Sequence, residues 1–284
     1  MFTKDSVFLV PLLSLSEDKM KKLKIKKEIK LAIKDSLQNF FRGKEVKVVH
    51  PLDLIFPKER RIRSLIGGLE TSLGTRVWEP IAKTLAKNNG YTVLDEKEFN
   101  DSIGKIPKVL MHKLSDFKNK KLENENLLCS SYFKDINDFI SSKNISADGY
   151  SKIPKGEGVD IWLRKGNKEY FIDIKTTQLN SGGGPKFLEN ILKWYTYKAL
   201  SNSETDLQCF LGFPFNPHKD KDFWKKEGGK ISPLQKNEEA FVADDFWNLL
   251  SGFDNTTEFI FDIFRELGEE DFGEQFQEIF NIPK

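Results

Sequence analysis

The stretch "GVDIWLRKGNKEYFIDIK", residues 158–175, decides how the chain is read. Apolar and polar residues alternate in two runs on either side of Lys165-Gly166-Asn167-Lys168, and Gly with Asn is what a tight hairpin turn needs. An antiparallel hairpin folds the start of one strand beside the end of the other, so Asp160 and Asp173 come together. Side chains alternate along a strand, so Asp173 and Lys175 share a face. Two carboxylates and one ammonium are therefore expected to converge at a sheet end.

Working outward, "TTQLNSGGG", 176–184, reads as a Gly-rich loop, and "PKFLENILKWYTYKAL", 185–200, as a helix with Pro185 near its first position. Leu188, Ile191, Leu192, Tyr195 and Ala199 give that helix one apolar face. "QCFLGF", 208–213, is a further strand. Upstream, residues 17–42 form a helix capped by Ser16, with Leu23, Ile29, Ile33, Leu37 and Phe40 at helical spacing. "VKVV", 46–49, and "YTVL", 91–94, are short strands, and 58–89 is helical but interrupted by Gly67, Gly68, Gly74 and Pro80. The class is α/β, a mixed β-sheet flanked by helices. The chain reads as one domain over 1–284, with a core at 58–215, a helical insertion at 95–155 and a helical tail at 219–284 whose Phe and Trp residues are core.

Composition narrows the function. Of 284 residues, 31% are charged, yet the net charge is only +2, so no global basic signal marks a nucleic-acid binder. Charge is unevenly placed: 19–34 is Lys-rich and 238–278 acidic, which fits ordinary helix surface. Cys129 and Cys209 make no CxxC pattern, and His50, His112 and His218 make no paired motif. Any metal must then be held by oxygen. The apolar run at 7–13 is too short for a membrane span and has no signal-peptide cleavage site, so a cytoplasmic protein is expected. The glycine loop lacks the GK[ST] ending of a nucleotide-binding loop, so no nucleotide is expected.

An acid-x-Lys triplet occurs at 17–19, 28–30, 45–47, 95–97, 116–118 and 173–175. The last alone lies in a hairpin strand with a second acid, Asp160, beside it. Paired carboxylates make a hard-oxygen pocket for Mg²⁺, with Mn²⁺ able to substitute, and a neighbouring lysine can hold or help deprotonate a water. A cross-strand salt bridge is the competing reading, and spacing alone does not choose between them. A third acid from the packed helix would complete the site: Glu70, in "RSLIGGLETSLGT", 63–75, with Glu79 as a weaker rival and an exposed helix glutamate as the bland reading of Glu70. Gln178, Asn180 and Lys186 are candidate DNA contacts after the catalytic strand, though a plain loop role for the first two is as good. Arg60, Arg61, Arg63 and Arg76 form the densest arginine cluster, suited to guanine or phosphate contact or to helix surface.

Asp160, Asp173 and Lys175 match the acid, acid and lysine that give the PD-(D/E)xK nuclease superfamily its name, with Val159 standing at the proline position. "GLETSLG", 68–74, resembles the helix that supplies the upstream glutamate in several of these enzymes. With "DIKTTQLNSGGG", the chain resembles type II restriction endonucleases, the TdeIII-like family above all. The resemblance implies Mg²⁺-dependent cleavage of double-stranded DNA at a short, GGNCC-type site, with metal on Asp160, Asp173 and Glu70. Breaking both strands with one acid-acid-lysine set per chain calls for a homodimer. A repair or junction-resolving nuclease on the same core, and a non-catalytic DNA-binding module, are the alternatives.

Overall fold

The structure is a computed structural model and describes residues 17–45, 50–176, 180, 182–201, 205–219 and 221–280. The Ser16 cap, the strand expected at 46–49 and Gln178 lie outside the described residues.

Helix α1 (Glu17–Phe41) is followed by a 3₁₀ turn (Pro51–Leu54), α2 (Pro57–Leu73), a π-helical turn (Gly74–Trp78) and α3 (Glu79–Asn88). Strand β1 (Thr92–Leu94), α4 (Glu96–Asp101), β2 (Ile103–Gly104), α5 (Lys108–Glu123), α6 (Cys129–Lys143) and β3 (Tyr150–Ser151) come next. The hairpin β4 (Ile161–Lys165) and β5 (Lys168–Ile174) leads to α7 (Gly183–Leu200) and β6 (Asp206–Phe213). The chain continues through α8 (Phe223–Ile231), β7 (Ala240–Val242), α9 (Asp244–Ser251), α10 (Thr256–Glu269), a 3₁₀ turn (Phe272–Phe276) and α11 (Gln277–Phe280).

The main sheet runs β1-β4-β5-β6-β7. β1, β4 and β5 pair antiparallel, whereas β5, β6 and β7 pair parallel. The sheet is therefore mixed, as expected. Its strands are buried on both faces. Phe171 packs with α5, α6 and α7, while Ile172, one residue on, packs with α1, α3, α9 and α10. Two helical layers thus enclose the sheet, and its strands read as apolar runs.

The hairpin forms as its sequence dictates. Gly166 takes φ +60°, a conformation that a Cβ would strain, and the register runs from Lys165 opposite Lys168 to Ile161 opposite Ile172. Near the turn, Glu169 is fully buried on a charge-satisfying cluster: Arg164 (2.6 Å), Lys198 (2.7 Å) and the Trp162 indole (2.8 Å) all donate to it. These cations hold its carboxyl below the usual range although burial pushes the other way.

Two expectations change. In α1 the buried stripe is Ile25, Ile29, Ile33, Phe40 and Phe41, and Leu23 is exposed. The tail is not wholly helical: β7 completes the sheet beside β6, while Phe246 and Trp247, read as core, have no exposed surface. Gly212 is where β6 meets α9, since a Cβ there would lie 2.6 Å from the Phe246 ring. No described helix is long and apolar enough to cross a membrane.

Candidate active site

The parallel half of the sheet sets the place. Ligands of α/β sheets bind outside the carboxyl ends of the strands, and β5 ends there in Asp173-Ile174-Lys175. The Lys175 amide continues the ladder by donating to the Gly212 carbonyl at 2.9 Å. On the antiparallel side, Ile161 pairs with Ile172, so Asp160 falls opposite Asp173. The Asp160 amide donates to the Ile172 carbonyl (3.0 Å), and its Oδ2 accepts from the Ile174 amide (2.8 Å). Asp160 is thereby fixed by both its backbone and its side chain to β5.

Lys175 reaches back to Asp173, with Nζ 2.7 Å from Oδ1 and 2.5 Å from Oδ2. The same Nζ sits 5.0 Å from the centre of the Phe187 ring on α7. Asp173 is buried, with Asp160 opposite it across the hairpin. Burial and the Asp160 charge push the Asp173 carboxyl up against the pull of Lys175. These three residues line a cavity of about 380 Å³, with Thr71, Thr75, Glu79 and Asn100 among its other walls.

The structure brings Glu79, not Glu70, to this cavity. Glu70 is exposed and its neighbour Thr71 faces the site instead. The reason lies in the helix. Nine residues of α-helix turn two side chains roughly 180° apart, so this helical region does not present both glutamates to one cavity, and the π turn at Gly74–Trp78 shifts the phase again just before Glu79. Nor do Gly67 and Gly68 admit other backbone: a Cβ at Gly67 meets nothing, and one at Gly68 meets only the Phe40 ring. Glu79 is buried, and its carboxyl is raised to about 7, chiefly by desolvation and then by the charge of Asp160. Lys83, 3.8 Å away, and a hydrogen bond from Thr75 pull it back only in part.

The candidate DNA contacts scatter. Asn180 and Lys186 are exposed beside the start of α7. Arg61 is committed within the fold, donating from Nε to the Ile279 carbonyl at 2.6 Å, and the Arg76 guanidinium lies over the Phe40 ring at 5.5 Å. Arg60 pairs with Asp53 at 2.9 Å, while Arg63 is exposed. None of these arginines lines the cavity.

Among the described residues no three His, Cys, Asp or Glu side chains form a ready-made metal cage. The donor set nonetheless fits a hard divalent cation. Asp160, Asp173 and Glu79 present only oxygens to one cavity, and the Asp173 and Glu79 carboxyls are raised first by burial and also by the charge of Asp160, which a bound cation would offset.

Sequence reasoning had no signal for Thr75 or Asn100. Thr75 lies within the π turn, which no helical period foretells, and Asn100 belongs to the stretch read as an insertion.

A type II restriction enzyme, MjaII of Methanocaldococcus jannaschii, is 25% identical over 224 residues, covering 76% of this chain and 57% of the relative. The chain thus spans a little over half the length of that enzyme. No solved structure matches the chain. The family model described as "Type II restriction endonuclease, HinfI" matches residues 16–268, almost the whole length. The chain therefore belongs to the HinfI family of type II restriction endonucleases.

Proposed function

We propose that this chain is a Mg²⁺-dependent endonuclease of the PD-(D/E)xK type that cuts double-stranded DNA at a short palindromic site. The observation that carries the reading is the meeting of Asp160 and Asp173 across the hairpin, with Lys175 on the same face of β5 at the cavity wall. Asp160, Asp173 and Glu79 are the residues that would hold the metal. When bound, it supplies Lewis-acid stabilisation of the phosphate and a more acidic water.

The chain's own groups do the rest. Ile174 and the β5 ladder orient Asp160, so its carboxylate needs no reorganisation. The Lys175 ammonium offsets charge on the scissile phosphate and orients the attacking water, with the Phe187 ring beside it as a cation–π partner. In the metal-free site the Glu79 carboxyl is raised to about 7, and a bound cation would draw it towards its charged form.

We propose a cytoplasmic homodimer, one site per strand, on a target with matching two-fold symmetry. The TdeIII-like resemblance favours a GGNCC-type sequence. Plasmid digestion with Mg²⁺, with Mn²⁺ and in excess EDTA tests the reading, and sequencing the cut ends gives the target. Discrete bands in Mg²⁺ and none in EDTA are expected. Full cutting in EDTA ends the metal assignment, and random nicks end the restriction reading. Light scattering of Lys175→Ala on a cognate duplex is expected to show two chains per duplex, and one chain would refute the dimer.

A further inference from the structure

The segment that delivers Asp160 to the site has an unusual support. β1 pairs with β4 only as far as Leu94 opposite Trp162, so residues 156–160 extend past the end of the neighbouring strand. Backbone there is held by side chains from other elements instead. The Asn190 amide on α7 reaches the Gly156 carbonyl at 3.5 Å, and the Trp194 indole donates to the Glu157 carbonyl at 2.6 Å. Nearest to the site, Asn100 of α4 grips Val159 twice. Its Nδ2 donates to the Val159 carbonyl at 2.9 Å, and its Oδ1 accepts from the Val159 amide at 3.1 Å.

One side chain thus makes the donor-and-acceptor pair that a strand residue would make. The chain leaves β1, turns through α4, and returns the Asn100 amide to the same edge of β4, continuing the ladder with a side chain. Asn100 is itself anchored, since its carbonyl accepts from the Ile153 amide at 2.8 Å. Gly158 leaves room for this grip: a Cβ there would lie 2.8 Å from Asn100 Oδ1. Asn100 also lines the cavity.

We propose that Asn100 is a positioning residue of this site, acting through the Val159 peptide to aim the Asp160 carboxylate. The inference rests on the reading that Asp160 holds metal. Residues that orient metal ligands typically contribute a factor of roughly 10–100 to metal affinity or activity. Only an amide of this length matches both the carbonyl and the N–H of Val159.

Mn²⁺ alone, titrated calorimetrically into full-length protein, gives a readout separate from cleavage. Asn100→Ala is expected to weaken Mn²⁺ binding about 10–100-fold and to lower the cleavage rate at limiting metal. Duplex affinity in metal-free buffer should stay within about two-fold, because phosphate contacts carry it. Gly158→Ala pushes on the same grip from the other side and should shift Mn²⁺ binding in the same direction. In the Asn100→Ala background, Gly158→Ala should add almost nothing, because the atom it displaces is gone.

Folded variants with wild-type Mn²⁺ affinity would overturn the proposal, as would fully additive effects in the double variant. If Asn100→Ala does not fold, Gly158→Ala decides alone. Asp160→Asn separates the two levels. Should it retain metal binding and cleavage, the metal-site reading itself fails; should it lose both while Asn100→Ala loses neither, this inference alone fails.

Discussion

The hairpin β4–β5 and the broken helix α2–π–α3 both supply carboxylates to one cavity, yet only the hairpin shows its geometry in the sequence. A strand repeats every two residues, so Asp173 and Lys175 stay on one face whatever surrounds them. Pairing also carries one strand's phase to the next, which places Asp160 opposite Asp173. A helix repeats every 3.6 residues, and its phase error accumulates along its length. Glu70 and Glu79 lie about half a turn apart on an α-helix, and the π turn between Leu73 and Glu79 shifts that phase again, so the sequence pattern does not say which acid faces the site. Local pairing protects register, whereas helical phase depends on every residue between two points.

The strongest test of the hairpin's half of the comparison is Lys175→Ala. Loss of a group positioned for proton transfer or charge offset typically costs about 10²–10⁴-fold in rate. Cleavage should fall by that range while duplex binding persists. A purified variant that cuts at the wild-type rate would show that the face shared by Asp173 and Lys175 is not the reacting one.

The helix's half is tested by two glutamates. Glu79→Gln should lower the rate at least about 10–100-fold, the effect typical of weakening a metal site, because Glu79 is one of the three acids that would hold the metal. Glu70→Gln should stay within about two-fold, as expected for an exposed helix position far from special features. If Glu70 proves the sensitive one, the π turn does not set the phase in solution.

How much was readable follows the same division. The hairpin, α7 with its buried Leu188, Ile191, Leu192, Tyr195 and Ala199, and β6 all show in the sequence, because each carries a complete local pattern. β7 did not show. Its three residues, Ala240–Val242, are too few for any periodicity, and it exists only because β6 offers a parallel partner. The tail around it was accordingly read as helical throughout, although its Phe and Trp residues were legible as core, and Phe246 and Trp247 do fill the space under the sheet. Asn100 was invisible for a related reason. Nothing near it in sequence foretells a contact with Val159, 59 residues away. The acids of the site were legible by type, and which helical acid faces it was not.

The smallest expected effect is on stability, and it reads the electrostatics of Glu79 directly. Its carboxyl is raised from 4.5 to about 7 because burial and the nearby Asp160 disfavour its charge. The folded state therefore holds this proton where the unfolded state has released it. Stability from this group is fully present below about pH 4.5 and is lost as pH rises through about 7. Asp173, also raised, acts in the same direction. In EDTA the wild type should be roughly 1–2 kcal/mol less stable at pH 8 than at pH 5.5 on this account, after allowing for partial solvent screening. Glu79→Gln cannot titrate, so its denaturation midpoints at the two pH values should lie closer together, with the gain appearing at pH 8. The residual slope belongs to Asp173. Glu70→Gln, at an exposed position, should leave the wild-type slope intact. A Glu79→Gln slope identical to wild type would mean that Glu79 is solvated in solution, and the contrast between the two glutamates would collapse.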